Sequence, residues 1–329
     1  MDERMNEADS QGPPMPRPQL IVILGPTASG KSELGIALAE KLRGEILVCD
    51  STQVYCHFDI GTAKTPPAEQ HGIAHHLVDL VEPGEVFTAG EWARGASVTL
   101  EDLRRRKALP ILTAGTGLYL RALLEGLAAA PSRSEELRDR LRQKVQQAER
   151  AGRSGPEHLH RILTRLDPQT AGRIAPRDTQ KLIRAIEMRV LAGKPVDEIF
   201  GAGRSGLEGY EVTKIGLGPP RAALYARIDR RVGAMIELGW VEEVRQLIAA
   251  GVPPSAKPFQ FIGYAQLREH LEGRLSLAAA IAQIQQSTRQ FSKRQMTWFR
   301  KEANVQWLEG FGGDPIVTAA ALALATKTD

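Results

Sequence analysis

Leu20-Ile21-Val22-Ile23-Leu24-Gly25-Pro26-Thr27-Ala28-Ser29-Gly30-Lys31-Ser32 joins an unbroken apolar run to a glycine-rich turn that ends in a lysine and a hydroxyl. The run over 20–24 reads as a buried strand, and the residues from Lys31 to about 42 read as the helix that follows it. Gly25-x-x-x-x-Gly30-Lys31-Ser32 is the Walker A pattern, and its position between a strand and a helix is the context that gives the pattern meaning. Glycines let the backbone wrap an anion. The exposed amides and the helix N-terminus supply positive field, and Lys31 adds a full charge. The Ser32 hydroxyl is placed to ligate Mg²⁺. Gly25, Pro26, Thr27, Ala28, Ser29, Gly30, Lys31 and Ser32 are therefore the expected cradle for a phosphate ester, although the turn does not say which one.

Working outward, strand and helix signals alternate. A second apolar run, 46–49, stops sharply at Asp50, and 76–80 reads as another short strand. Thr88 with Glu91 three residues on has capping-box spacing and opens a helix. A strand over 110–113 meets Gly115-Thr116-Gly117, and a helix follows over 118–126. Alternation of this kind predicts an α/β fold, a P-loop NTPase-like parallel sheet covered on both faces. The texture then changes. Residues 131–200 hold only amphipathic helical stretches, with a net charge of about +5 that exceeds the +4 of the whole chain. Strand character returns at 212–217, two helices follow, and a long helix is expected over 276–301. The expected organisation is a disordered tail over 1–18, core over 19–130, a helical insertion over 131–200, and core again over 201–329.

The 329 residues, 42% hydrophobic and 25% charged, are those of an ordinary soluble globular protein. Two cysteines, Cys49 and Cys56, are too few for a disulfide framework or a full zinc site and suit a reducing cytosol. No apolar run is long enough for a membrane span or signal segment, so a cytoplasmic location is expected. His75-His76 lacks the further ligands that a metal site requires.

Asp50 has two readings. It is either a Mg²⁺ ligand or a base beside an acceptor, and its place directly after the first helix and second strand favours the base. Arg221, in a run that continues through Arg227 and Arg231, either reaches the diphosphate bidentately or is a solvated helical arginine.

Asp50-Ser51-Thr52-Gln53-Val54-Tyr55, then Asp59-Ile60-Gly61-Thr62-Ala63-Lys64, make the pattern specific. With the Walker A turn, Gly115-Thr116-Gly117-Leu118-Tyr119 and Lys293-Arg294-Gln295-x-Thr297-Trp298, the chain resembles the tRNA dimethylallyltransferases from about residue 20 to 308. The resemblance implies transfer of dimethylallyl from dimethylallyl diphosphate to the N6 amine of the adenosine 3′ of the anticodon (position 37), with Mg²⁺ assisting. It implies that the P-loop holds the donor's diphosphate, that Asp50 is the general base, and that Thr116 contacts the same amine. It assigns tRNA contact to Asp50, Ser51, Thr52, Gln53 and Thr116, and in the insertion to Arg138, Gln180, Lys181, Leu182, Ile183 and Arg184.

Lys293, Arg294 and Gln295 form a basic patch with an interleaved aromatic, expected to meet RNA. Trp298, at helical spacing from Phe291, is expected in the core. Tyr264 either lines the RNA tunnel or packs. The chain is expected to act as a monomer. Thr113-Ala114 stands where the family usually has Val-Gly, and Phe87-Thr88…Trp92 replaces Tyr-Ser…Phe; an alanine in place of glycine restricts the backbone before the Thr116 turn. Two alternatives use the same cradle: a small-molecule kinase, whose adenine-site and lid patterns are missing, and a prenyltransferase of free adenine nucleotides, against which the basic insertion argues. An RNA-binding GTPase-like module would need Asn-Lys-x-Asp, which is absent.

Overall fold

The computed structural model describes residues 17–201 and 205–327, so the tail expected over 1–18 lies outside the described residues except for its last two positions. Six strands form one parallel sheet: β1 (Gln19–Leu24), β2 (Gly44–Cys49), β3 (His75–His76), β4 (Leu109–Ala114), β5 (Glu211–Leu217) and β6 (Val305–Leu308), in the order β3-β2-β4-β1-β5-β6. The order places β1 in the middle, and Leu20 through Leu24 are all fully buried. This is why the run lacks polar alternation: a parallel strand covered on both faces is apolar throughout. Each such side chain contributes about 1.5–3 kcal/mol by burial.

Register sets the position of the chemistry. Leu24 pairs with Ala114 on one side and Gly216 on the other, and Ala114 also pairs with Cys49. The carboxyl ends of β1, β2, β4 and β5 therefore stop level, and the residues that follow them emerge along one edge. Ligands of open α/β sheets bind at that edge.

The Thr88 capping box forms as its spacing predicts. Its hydroxyl accepts from Glu91 N, the Glu91 carboxylate accepts from Thr88 N, and the helix Ala89–Arg106 follows. Trp92 on this helix is fully buried, and its indole N–H donates to Val48 O of β2 at 3.2 Å. The substitution of Trp for Phe there adds a tie between helix and sheet. Ala114 ends β4 in the extended conformation, with none of the positive φ that would call for glycine, so the alanine fits without strain.

One expectation about strands needs correction, and one strand was not expected. The strand expected over 76–80 is only His75–His76, because Leu77 (φ 68) and Asp79 (φ 51) turn left-handed. The amides of Asp79 and Leu80 instead donate to Gln53 O and Val54 O. β6 had no clear signal, being four residues long and half exposed. Its Trp307 lies on Gly216, where an added Cβ would come within 2.5 Å of the ring.

The chain divides into two compact units, Met1–Leu123 with Leu207–Asp329, and Leu124–Gly206. The second unit is wider than the 131–200 expected. Its helices include Glu135–Arg150, Gly155–Leu166 and Thr179–Ala192, around Leu141, Leu159, Leu163, Leu182 and Ile186. Buried Asp167 accepts from Thr170 N and Val196 N at 3.0 Å each, tying two short helices together. Among the described residues no helix is long and apolar enough to cross a membrane.

Candidate active site

The edge formed by the ends of β1, β2 and β4 opens into a cavity of about 970 Å³. One wall is the P-loop. Gly30 has φ 90, and an added Cβ would lie 2.6 Å from Gly312 N, so only glycine fits there. Ala28 also takes a left-handed conformation (φ 63), in a turn closed by Ser29 N donating to Pro26 O at 3.2 Å. Thr27, Ala28, Gly30, Lys31 and Ser32 line the cavity.

Lys31 donates from Nζ to Pro26 O at 2.9 Å. Burial pushes its ammonium down to about 8; Asp50 opposes that shift and Arg231 adds to it. Arg231 also faces Asp50 and Glu33, and burial together with Arg227 lowers it in turn. Recessed cations pushed down by burial and by neighbouring positive charge form a site that favours a bound anion.

Asp50 follows β2 and lines the same cavity. Its Oδ1 accepts from Thr52 N at 2.8 Å and Thr52 Oγ1 at 2.7 Å. Its Oδ2 lies against Gly115, where an added Cβ would approach to 2.4 Å. One oxygen is thus used to orient the carboxylate, and glycine leaves room beside the other. Thr116 Oγ1 accepts from Ser51 N at 3.0 Å, and the amides of Gly115 and Thr116 both donate to Cys49 O at 3.0 Å. The Asp50 and Thr116 turns are therefore one hydrogen-bonded unit. Burial raises the Cys49 thiol well above its ordinary value, so it remains a thiol.

Gln295 joins the two walls. Its Oε1 accepts from Thr27 N at 2.7 Å and its Nε2 donates to Gly115 O at 2.8 Å. A side chain expected on the RNA surface is instead buried and bridges the P-loop to the Gly115 turn. Lys293 and Arg294, two and one residues before it, are exposed on the helix Leu277–Phe299 and do not line the cavity. Trp298 packs against Gly117, where a Cβ would come within 2.2 Å of its ring, but it is half-buried rather than in the core, with the Arg121 guanidinium 4.4 Å over its ring.

Several assignments move. Arg221 does not line the cavity; its Nε donates to Tyr225 Oη at 3.0 Å and its guanidinium lies over that ring. The same helix, Arg221–Glu237, instead turns Arg227 and Arg231 inward, four residues apart and so on one face. That spacing was visible in the sequence, but which face meets the site depends on packing. Tyr264 is fully buried and hydrogen-bonded to Glu243, so of its two readings it packs. In the helical unit Leu182 and Ile183 are core residues. Arg138 and Arg184 both pair with the buried carboxylate of Glu187, Arg138 at 2.8 Å and Arg184 at 2.5 Å. Lys181 is well exposed and pairs with Asp178 at 2.7 Å. Phe291 and Phe311 line the cavity without any sequence signal that pointed to them.

No group of three or more His, Cys, Asp or Glu able to hold a metal occurs among the described residues. Ser32 and Asp50 both line the cavity. That donor set is too sparse for a protein cage but fits Mg²⁺, which is commonly held by one or two protein oxygens together with substrate phosphates. His75 Nδ1 is bonded to Ile73 O and His76 Nε2 to Glu45, while His75 Nε2 is buried without a hydrogen-bond partner.

The family model described as IPP transferase matches residues 53–302. A tRNA dimethylallyltransferase of Solibacter usitatus is 49% identical over 308 residues, 94% of this chain and 98% of that one. One from Koribacter versatilis shows the same identity and coverage. The solved tRNA isopentenylpyrophosphate transferase of Bacillus halodurans is 34% identical with a TM-score of 0.66, covering 94% of this chain and 98% of that one. A eukaryotic dimethylallyltransferase solved acting on tRNA superposes with a TM-score of 0.75 at 28% identity, covering 89% of this chain and 74% of that one.

Proposed function

Because the chain belongs to the IPP transferase family and transfers a dimethylallyl group to an adenosine of tRNA, we propose how its cavity does so. The P-loop and Arg231 bind the diphosphate of dimethylallyl diphosphate. The adenosine, the one 3′ of the anticodon, enters opposite them with its N6 amine between Asp50 and Thr116. The observation that carries this reading is that two recessed cations and one oriented carboxylate line the same cavity. Lys31 and Arg231 share it with Asp50, whose charge acts on both and whose Oδ1 is fixed by Thr52.

The chemistry follows from that pairing of charges. Cleavage of the allylic C–O bond leaves its electron pair on the diphosphate, and Lys31, Arg231 and the P-loop amides meet that developing charge. The amine nitrogen forms the new bond to the allylic carbon, and Asp50 takes the proton it releases. Thr116 Oγ1, already held by Ser51 N, is left to orient the amine. Mg²⁺ bound by Ser32 and the diphosphate would supply further neutralisation of charge. An adenosine can reach Asp50 only outside the anticodon stack, as enzymes acting on a base generally require. Gln180 and Lys181 are the insertion residues left to meet RNA. The reading takes the enzyme to be a cytoplasmic monomer, and family membership removes the kinase alternative.

The test is incubation with dimethylallyl diphosphate, Mg²⁺ and unmodified tRNA, followed by nucleoside mass spectrometry. N6-dimethylallyladenosine next to the anticodon is the expected product. Modification at another base, or none, overturns the reading.

A further inference from the structure

The segment 59–63 runs along the cavity wall, and its backbone is held by side chains that do not line the cavity themselves. Glu243, on the helix Trp240–Ala249, accepts from Asp59 N at 3.0 Å and Ile60 N at 2.7 Å through one oxygen. Its other oxygen accepts from Tyr264 Oη at 2.6 Å, and that hydroxyl accepts from Gly61 N at 3.1 Å. Three successive amides thus end on two side chains from two helices. Trp240 fills the space between, so close to Gly61 and Gly263 that an added Cβ at either would overlap its ring.

The consequence appears two residues on. The carbonyls of Thr62 and Ala63 receive Gln53 Nε2 at 3.1 and 3.5 Å. Only the NH₂ end of an amide can donate to a carbonyl, so these contacts fix which way the Gln53 amide faces. The nitrogen is turned to these two carbonyls and away from the cavity's ligand side. What remains for a ligand is Oε1, an acceptor, on a residue that lines the cavity beside Thr52, Gly61 and Thr62.

We propose that Glu243 is a positioning residue for acceptor recognition: through the segment 59–63 it locks the Gln53 amide so that Gln53 offers only a hydrogen-bond acceptor. The group read by Gln53 is then an N–H donor on a nucleobase of the acceptor RNA. Removing Glu243 frees the segment, the amide rotates, and Gln53 offers donor and acceptor alike. The P-loop does not depend on this linkage, because it is held by Gln295 Oε1 on Thr27 N, by Lys31 Nζ on Pro26 O and by Gly312 N on Ser29 O.

The inference rests on the transferase reading, which the wild-type rate tests separately; the variants are compared only with that rate. Glu243→Ala should raise KM for tRNA about three- to tenfold, the effect of losing one neutral hydrogen bond. Its affinity for dimethylallyl diphosphate, measured without tRNA, should be unchanged. Glu243→Gln keeps the shape and one acceptor oxygen and should recover most of the loss. Tyr264→Phe, which deletes only a hydroxyl, should shift KM in the same direction should the alanine variant fold poorly. The decisive measurement is the cycle with Gln53→Ala. If Glu243 acts through Gln53, the double variant is no worse than Gln53→Ala alone. Losses that multiply in the double variant, or donor affinity falling in step with KM, overturn the proposal.

Discussion

Lys31 in the free protein should release its proton near pH 8, against an ordinary value of 10.5. It is then about nine-tenths charged at pH 7 and about one-tenth charged at pH 9. A diphosphate beside the ammonium favours the charged form, so donor binding takes up a proton wherever the free lysine is neutral. Affinity is therefore fully present below pH 8 and lost as pH rises through it. If the bound state returns Lys31 to its ordinary value, affinity falls on the order of twentyfold between pH 7.5 and 9.5, or about 2 kcal/mol. Isothermal titration with dimethylallyl diphosphate in the absence of tRNA reads this directly, and repetition in buffers of different ionisation enthalpy counts the proton. Lys31→Arg, charged throughout, should flatten the profile. The same displacement costs roughly 3 kcal/mol of folding stability at neutral pH. Lys31→Met should therefore raise the melting temperature of the ligand-free protein. A wild-type donor affinity constant from pH 7.5 to 9.5 would refute the argument that burial depresses Lys31.

Asp50→Ala should keep donor affinity while the transfer rate drops on the order of 10²–10⁴-fold; loss of Mg²⁺-dependent donor binding without tRNA would instead make Asp50 a metal ligand. Arg231→Ala should weaken donor binding about tenfold or more and Arg221→Ala hardly at all, and the reverse ranking in a binding titration would restore Arg221 to the site. Burial alone would raise the Glu187 carboxyl, but Arg138 and Arg184 outweigh it and bring it down to about 2. Its contribution to stability is therefore present above the ordinary carboxylate range and lost as pH falls toward 2; Glu187→Ala, which leaves both arginines unpaired, should cost about 3–5 kcal/mol in denaturant unfolding. Lys181→Ala should lower the log–log salt slope of tRNA binding by roughly 0.7–0.9, and an unchanged slope in filter binding would take Lys181 off the RNA surface.

The chemistry that is local along the chain was legible from residue order. A Walker A turn needs its glycines, lysine and hydroxyl at fixed offsets, so the cradle from Gly25 to Ser32 could be read without knowing what surrounds it. The Thr88 capping box was legible for the same reason, since both of its hydrogen bonds close within four residues. The apolar run of β1 and the shorter ones within β2 and β4 announced a parallel sheet because burial on both faces leaves few polar positions. What pattern could not supply is which face of a helix meets the site. Arg221, Arg227 and Arg231 are chemically equivalent in the sequence; packing of Leu224 and Ile228 beside Ala28 sends two of them inward and leaves the first on Tyr225. Gln295 sits among basic residues and reads as surface, yet contacts 268 and 180 residues away make it a bridge between two loops. Left-handed turns at Leu77 and Asp79 cut short a strand that hydrophobicity favoured, because Gln53 and Val54 offered their amides better partners. Those outcomes depend on groups distant in sequence competing for the same space and the same hydrogen bonds, and only the folded chain brings those competitors together.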